Sequence, residues 1–393
     1  MIDDPFASLL EQIHNKPVFL ESVFEQYDRM AREVLDFSTC FQVQDVLITG
    51  CGDSYACALS AEMAFQRLAQ VPTRACNAMA AGRYHLPFLS PRRARHTLVI
   101  ALSVSGSVAR TVEVMALAQD SQAQTLAVTA HVNSALGQRA RRCFELSFPS
   151  PLPANLPGIQ SFLACQLALM LLAIRLGEAT NRLTAEQAAG ARRELRSVAG
   201  MMTRFVESGR LPAASFVHNH AQAVCLEFLG SGPNFGTALF SAAKAIESAG
   251  SPASAQDIEE FHHLEFFERP RSSLPVVLFA PFGHSYSRAV EIALEIRKLE
   301  RPLAVVVQRG ESELSALVET VFVAEDGCHE EFTPLLFCTA GELLAAFLMR
   351  ERGEAPYRGF AGVWQGDARP YSGIRTSRAV SRLKDLKQEP AHD

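Results

Sequence analysis

Apolar and polar positions alternate along this chain in two different periods. Between residues 18 and 38 the apolar side chains recur at helical spacing, which predicts an amphipathic helix that packs on a folded body. Short apolar runs then alternate with stretches of helical character. This alternation predicts a mostly parallel sheet wrapped by helices. The predicted strands are Val46–Thr49, Thr97–Leu102 and Thr125–Thr129, and the predicted helices are Ala56–Leu68 and Val108–Ala118.

The second half of the chain repeats features of the first. The run that begins at Leu47 shares its glycines, an aromatic residue and an Ala-Leu pair with the run that begins at Phe228, about 180 residues later. We therefore expect a duplication, with one αβα sandwich of the α/β class in each half. The predicted organisation is a helical brace at 1–39, a first domain at 40–190, a second at 210–350 and a C-terminal arm at 351–393. Gly177–Leu211 is read as the connector.

Composition narrows the classes of function. The chain has 393 residues, 48% of them hydrophobic, and a formal net charge of -5, which gives no overall attraction to nucleic acid or an anionic membrane. Nine cysteines without a CxxC pair indicate reduced thiols. The acidic N-terminus does not resemble a secretory signal, and the longest apolar run, Phe162–Ile174, is short for a membrane span. We expect a cytoplasmic protein with no nucleic-acid or membrane partner.

Two glycine- and serine-rich turns follow predicted strands. Gly50-Cys-Gly-Asp-Ser54 leads into an alanine-rich helix. Two interpretations are open: the backbone N–H groups at the helix start bind an anion or a sugar oxygen, or the segment is a simple strand-to-helix turn. The second turn carries Ser103, Ser105, Gly106 and Ser107 between a buried strand and a helix. One serine suffices to cap a helix, so three hydroxyls favour phosphate binding over capping.

A GCGxS turn followed about fifty residues later by a strand ending in SxSG resembles the sugar isomerase (SIS) domain family. The doubled arrangement resembles the isomerase half of glucosamine-6-phosphate synthase and the fructoselysine-6-phosphate deglycases. The resemblance implies that the SxSG loop grips a phosphate and that the GCGxS turn contacts the sugar. The residues implied are Ser103, Ser105, Gly106 and Ser107 for the phosphate, and Gly52, Asp53 and Ser54 for the sugar. The second half has Ala280-Pro-Phe-Gly-His-Ser285 at the corresponding place, so only the first copy is expected to hold phosphate.

The same resemblance implies an acid–base pair in the second half. Glu247 lies on a predicted helix, and His263 follows sixteen residues later, the spacing of the family's base and acid. The pair suits enolisation, in which carbon loses a proton while oxygen or nitrogen gains one. Two alternatives remain. Glu247 is an ordinary exposed helix glutamate, or His263 forms a metal cluster with Glu259, Glu260, His262 and Glu265. Neither a metal nor a cofactor is expected. The family's histidine often reaches the neighbouring subunit's site, so a homodimer with a shared active site is implied.

Departures from the synthase favour one reaction. The chain shows no glutaminase nucleophile at its start, and Lys384 and Lys387 match the synthase's Schiff-base lysine poorly. A Glu/His pair without that lysine favours a deglycase, which cleaves the C–N bond of a 6-phosphorylated Amadori-type sugar–amine conjugate. The alternatives are an aminosugar-phosphate deaminase, an aldose–ketose phosphosugar isomerase, or a non-catalytic regulator that binds a sugar phosphate.

Overall fold

The computed structural model describes residues 4–152, 155–268, 274–361 and 370–388, with only the backbone of 370–372, 387 and 388. Ten strands form within this part. They are β1 (Asp45–Gly50), β2 (Thr73–Asn77), β3 (Thr97–Leu102), β4 (Gln124–Thr129), β5 (Arg142–Glu145), β6 (Leu226–Leu229), β7 (Ala253–Gln256), β8 (Val276–Phe279), β9 (Leu303–Gln308) and β10 (Thr320–Ala324).

The α-helices are α1 (Pro5–His14), α2 (Lys16–Val34), α3 (Phe37–Gln42), α4 (Asp53–Ala64), α5 (Ala78–Tyr84), α6 (Pro91–Arg95), α7 (Ala109–Asp120), α8 (Ala135–Arg139), α9 (Ile159–Ala179), α10 (Ala185–His220), α11 (Pro233–Ala249), α12 (Ile258–His263), α13 (Tyr286–Lys298), α14 (Thr333–Arg352) and α15 (Pro370–Thr376). Short 3₁₀ turns lie at Leu86–Phe88, Glu265–Phe267, Ser315–Leu317, Glu330–Phe332, Pro356–Phe360 and Leu383–Gln388, and a π turn at Phe65–Ala69 extends α4.

The chain folds into two compact units, each made of three separated stretches. We call the unit of Val23–Pro149, Ala164–Arg192 and Phe360–Asp393 the first lobe. The unit of Met1–Ser22, Ser150–Leu163 and Arg193–Gly359 is the second lobe. These stretches differ from the continuous ranges that the sequence predicts, since the expected brace and the expected arm are each divided between the lobes.

Each lobe contains one five-stranded parallel sheet, which confirms the predicted α/β class. The strand order is β2-β1-β3-β4-β5 in the first lobe and, read from the opposite edge, β7-β6-β8-β9-β10 in the second. All pairs within both sheets are parallel. The strands therefore correspond one to one, β1 with β6 and so on to β5 with β10.

The turns after β1 and β6 show the duplication at the level of the backbone. Gly52 precedes α4 with φ 57° and ψ -126°, and Gly232 precedes α11 with φ 54° and ψ -129°. L-residues with a side chain rarely adopt this conformation, so both positions require glycine. The predicted correspondence of the two glycine turns is thus present in the backbone geometry.

The sequence pattern located the three central strands of the first sheet and missed the two edge strands of that sheet. β3 matches its predicted bounds, and β1 and β4 extend theirs by one or two residues. β2 and β5 were not predicted, because they are partly exposed edge strands without a continuous apolar run. The predicted helix at 18–38 ends earlier, at Val34, because Asp36 caps the separate helix α3.

Among the residues that the structure describes, two helices are long and apolar enough, by length and composition, to cross a membrane. They are the 21-residue helix Ile159–Ala179 and the stretch Glu330–Arg352. Burial accounts for their apolar character, since 94% and 100% of their most hydrophobic windows are buried in the fold. The first of them extends beyond the apolar run seen in the sequence.

A buried ion pair within the second lobe joins Lys16, at the start of α2, to Glu342 in α14. The Lys16 ammonium lies 2.7 Å from Glu342 Oε2 and 2.9 Å from Thr339 Oγ1, and both members of the ion pair are fully buried. Burial alone would lower the pKa of Lys16, but Cys338 and Glu342 outweigh it and raise that pKa. Lys16 therefore remains charged inside the fold.

We predict that Lys16→Ala lowers the free energy of unfolding by about 3–5 kcal/mol, because it leaves the Glu342 carboxylate buried without its cation. Urea denaturation measures the loss. The double variant Lys16→Met/Glu342→Leu is the control, and it is expected to recover most of the stability. Equal losses in the single and double variants would contradict this account.

Candidate functional site

The two glycine- and serine-rich turns lie side by side in the first lobe. One follows β1 and the other follows β3, and these strands are paired in parallel with Thr49 opposite Ala101. Both turns therefore leave the sheet at its carboxyl edge, where ligands commonly bind in open α/β folds. A contact of 3.8 Å from Thr111 Oγ1, in α7, to Cys51 Sγ further ties the two segments together.

Backbone hydrogen bonds hold the loop 103–107 in one shape. Ser103 N–H donates to Val128 O at 3.0 Å, and Gly106 N–H donates to Ser103 O at 2.9 Å. The hydroxyls of Ser105 and Ser107 lie 3.0 Å apart, and both residues are partly exposed. Two hydroxyl groups are thus presented together at a fixed spacing.

The start of α7 is not capped by a side chain. Its N-cap residue is Val108, and the same lack of a side-chain cap occurs at α4, which follows the other turn. The other short first-lobe helices are capped by Asp36, Asn77, Ser90 and Ser134. The serines of the loop therefore do not serve as caps, and the first-turn amides of α7 remain available to an anion.

Two buried hydroxyls at this edge of the sheet also lack protein partners. Ser103 Oγ and Thr49 Oγ1 are buried, and neither makes a hydrogen bond within the described part of the chain. Buried polar groups are normally satisfied by protein, water or ligand. Ser103 was a predicted phosphate-site residue, whereas Thr49 was not singled out, because a threonine at the end of a strand carries no motif.

Gly106 is required by a close approach as well as by its backbone. Its φ is 62°, and a Cβ at this position would overlap the Ser134 side chain and lie 2.9 Å from Thr129 Oγ1. Leu136 N–H donates to Gly106 O at 3.0 Å. The loop is therefore pressed against the segment that follows β4.

The predicted sugar-contacting residues lie at the start of α4. Asp53 and Ser54 are partly exposed in its first turn, and Gly52 is exposed just before it. Gly50 is needed because a Cβ there would lie 2.5 Å from Ser54 Cβ. Burial raises the pKa of the neighbouring Cys51 thiol, which keeps that group neutral.

In the second lobe, Glu247 is held by its neighbours rather than free on a helix surface. It lies in α11 and forms an ion pair with Lys244, whose side chain is only 1% exposed. Tyr357 OH lies 3.4 Å from the same carboxylate oxygen and 3.5 Å from Leu156 O. Lys244 in turn sits over the Phe240 ring. These contacts argue against the reading of Glu247 as an ordinary solvated glutamate.

His263 is not joined to Glu247 by the hydrogen bonds that the structure describes for it. It ends α12 with its side chain 64% exposed, and its Nε2 lies 3.1 Å from Glu259 Oε1. Arg288 also binds Glu259 and, by hydrogen bonding, lowers the pKa of that carboxyl. The adjacent His262 stacks on Phe266 instead. The expected acid and base are therefore not assembled into a pair by these contacts.

Two further expectations from the sequence are that no metal site is present and that the cysteines are reduced. No group of three or more His, Cys, Asp or Glu side chains suited to a metal occurs among the residues described. All nine cysteines fall within those residues, and no disulfide joins them.

The last described segment packs on the first lobe. Val380 N–H donates to Glu113 Oε1 at 2.9 Å, and Leu383 N–H donates to Asp120 Oδ2 at 2.8 Å, so this stretch lies along α7. Lys384 is exposed there, and the side chain of Lys387 lies outside the described residues.

The matching family model is the SIS domain, over residues 41–175. This range contains the whole first sheet and both turns. Residues 41–175 form a SIS domain. The resemblance in the two serine- and glycine-rich turns is thereby confirmed for the first lobe.

Relatives extend the likeness over most of the chain. The glutamine–fructose-6-phosphate aminotransferase (isomerizing) of Chlamydia trachomatis serovar D is 23% identical over 360 residues, which cover 88% of this chain and 56% of the relative. The chain thus spans about half the length of that curated protein.

Solved structures share the SIS fold. The tagatose-6-phosphate ketose/aldose isomerase of Escherichia coli is 16% identical with a TM-score of 0.71, and the match covers 91% of this chain and 96% of that one. The glucosamine-6-phosphate deaminase of Thermotoga maritima is 19% identical with a TM-score of 0.67, covering 89% and 96%. The chain therefore shares the fold of these structures over most of its length.

We predict that Gly106→Ala destabilises the first lobe by more than backbone strain alone. Gly353→Ala is the matched control, since Gly353 has φ 64° with no heavy atom near an added Cβ. The control is expected to cost about 1–2 kcal/mol. Gly106→Ala should cost more, because its Cβ overlaps Ser134. Thermal unfolding measures both variants, and equal shifts would show that the loop is not tightly packed.

Proposed function

We propose that this protein is an enzyme that binds a sugar phosphate through the loop 103–107. The uncapped start of α7 supports the proposal most directly, because it leaves amide groups and a positive dipole end beside the paired hydroxyls of Ser105 and Ser107. Neutral donors of this kind satisfy phosphate oxygens without an arginine. Gly52, Asp53 and Ser54 contact the sugar in this proposal.

Glu247 is the proposed general base. A base must be held in place, and the ion pair with buried Lys244 and the nearby Tyr357 hydroxyl do this. Lys244 and Tyr357 act as positioning residues. Both side chains contact the Glu247 carboxylate and so fix its position on α11.

The proposed reaction is cleavage of the C–N bond of a 6-phosphorylated Amadori-type conjugate. Glu247 removes a proton from C1, the C2 oxygen gains a proton, and an enolamine forms. Return of a proton to C2 then gives an imine between C1 and the nitrogen. Water adds to the imine carbon and the C–N bond breaks, so the products are an aldose 6-phosphate and a free amine.

His263 is proposed to assist nitrogen departure or water entry in a neighbouring subunit. Its side chain is 64% exposed, which leaves it accessible to a second copy. The proposal therefore includes a homodimer with a shared active site. We further propose a cytoplasmic enzyme without metal, cofactor, nucleic-acid or membrane partner.

A second candidate is an aminosugar-phosphate deaminase or an aldose–ketose isomerase. The names of the Thermotoga and Escherichia relatives favour it. The same carboxylate serves proton transfer between C1 and C2 in either case. Release of ammonia identifies a deaminase, an isomerised sugar identifies an isomerase, and release of an amino acid or other amine identifies a deglycase.

We predict that the purified protein releases hexose phosphate from phosphorylated fructose–amino acid conjugates. Glu247→Gln should lower kcat by about 10²–10⁴-fold with little change in substrate binding, since the amide keeps the shape but cannot accept the proton. Glu291→Gln, at an exposed glutamate of α13, is the control and should retain full activity. Turnover that survives Glu247→Gln would exclude Glu247 as the base. Tight sugar-phosphate binding without turnover of any of the three substrate classes would identify a non-catalytic binder.

A further inference from the structure

The loop 280–285 of the second lobe holds the place that the phosphate loop holds in the first. It follows β8, which corresponds to β3 in the strand order, and it leads into α13 as the first loop leads into α7. Like α7, α13 begins without a side-chain cap from its N-cap residue. The sequence shows only that the SxSG serines are missing here.

A carboxylate of the protein itself lies on this loop. Glu330, in the short turn Glu330–Phe332, accepts a hydrogen bond of 2.9 Å from the backbone N–H of His284, and it is only 7% exposed. A Cβ at Gly283 would overlap this carboxylate, so the backbone and the acid are in direct contact.

A second side chain accepts from another backbone donor of the loop. The backbone N–H of Phe282 donates to Gln308 Oε1 at 2.8 Å, and Gln308 Nε2 donates to Cys328 O at 3.0 Å. Gln308 ends β9, which corresponds to β4. Two N–H groups of the loop are therefore used by buried side-chain oxygens of the same lobe.

We propose that the loop 280–285 is an anion-binding site that the chain closes with Glu330. A carboxylate and a phosphate monoester present the same kind of oxygen acceptors to backbone amides near a helix start. While Glu330 occupies the loop, it takes the His284 N–H and fills the space beside Gly283, and a phosphate would meet its like charge. Each chain thereby carries one phosphate site, in the first lobe, instead of two.

Removal of the carboxylate should open the site. In a Ser105→Ala/Ser107→Ala background, equilibrium dialysis with inorganic phosphate should show that Glu330→Ala gains one bound phosphate per chain. Glu330→Gln is the matched control, because the amide fills the same volume and still accepts from His284, and it should gain none. The background variant removes the two serine hydroxyls of the first-lobe site. The gain of one phosphate in Glu330→Ala is therefore expected whether or not the first lobe binds phosphate, and the two proposals can fail separately.

A stability comparison tests the same contact without a ligand. Gly283→Ala should lower the melting temperature by on the order of a few degrees in the wild-type chain, and by less in a Glu330→Asp chain, whose shorter side chain withdraws from the loop. If Glu330→Ala does not fold, the proposal is tested by this comparison of melting temperatures and by phosphate dialysis of Glu330→Asp. A folded Glu330→Ala protein that gains no phosphate, or a Gly283→Ala change without effect, would overturn the proposal.

Discussion

The proposals for this protein depend on how the unpaired N–H groups at the start of a helix find hydrogen-bond partners. The first turn of an α-helix has N–H groups without intrahelical partners, and a side chain, water or a ligand must meet them. At α7 no side chain does so, although three serines stand in the preceding loop. The chain thus keeps hydroxyls and amides together at the carboxyl edge of a parallel sheet, and we propose that a phosphate satisfies them there. The tight backbone at Gly106 and the contacts with the segment after β4 preserve that arrangement.

The second lobe resolves the same constraint differently. Its fold repeats the strand order and the glycine turn of the first, but Glu330 and Gln308 accept from two backbone amides of the loop after β8. This lobe instead carries Glu247, Lys244 and Tyr357, a group suited to moving protons. In our proposals, closure of one of two duplicated anion sites leaves one lobe to bind the phosphate and the other to carry the acid–base residues.

Part of this could be predicted from the sequence. The central strands of the first sheet, the duplication and the serine loop were predictable, because continuous apolar runs and glycine turns are local signals. Edge strands β2 and β5 were not, since half-exposed strands lack such runs. Tyr357 and Glu330 were also missed: each acts on a residue far away in the chain, and no local pattern marks a single side chain that folding brings to a distant loop. The exposure of His263 could not be anticipated either, because two adjacent histidines give no indication of which one faces solvent.

The most direct measurement is a crystal structure of the protein with inorganic phosphate or a sugar phosphate bound. The account predicts phosphate density within hydrogen-bonding distance of the Ser105 and Ser107 hydroxyls and of the first amides of α7, with the loop after β8 still occupied by Glu330. A first-lobe loop filled by the protein's own side chains, with the phosphate bound elsewhere, would contradict it.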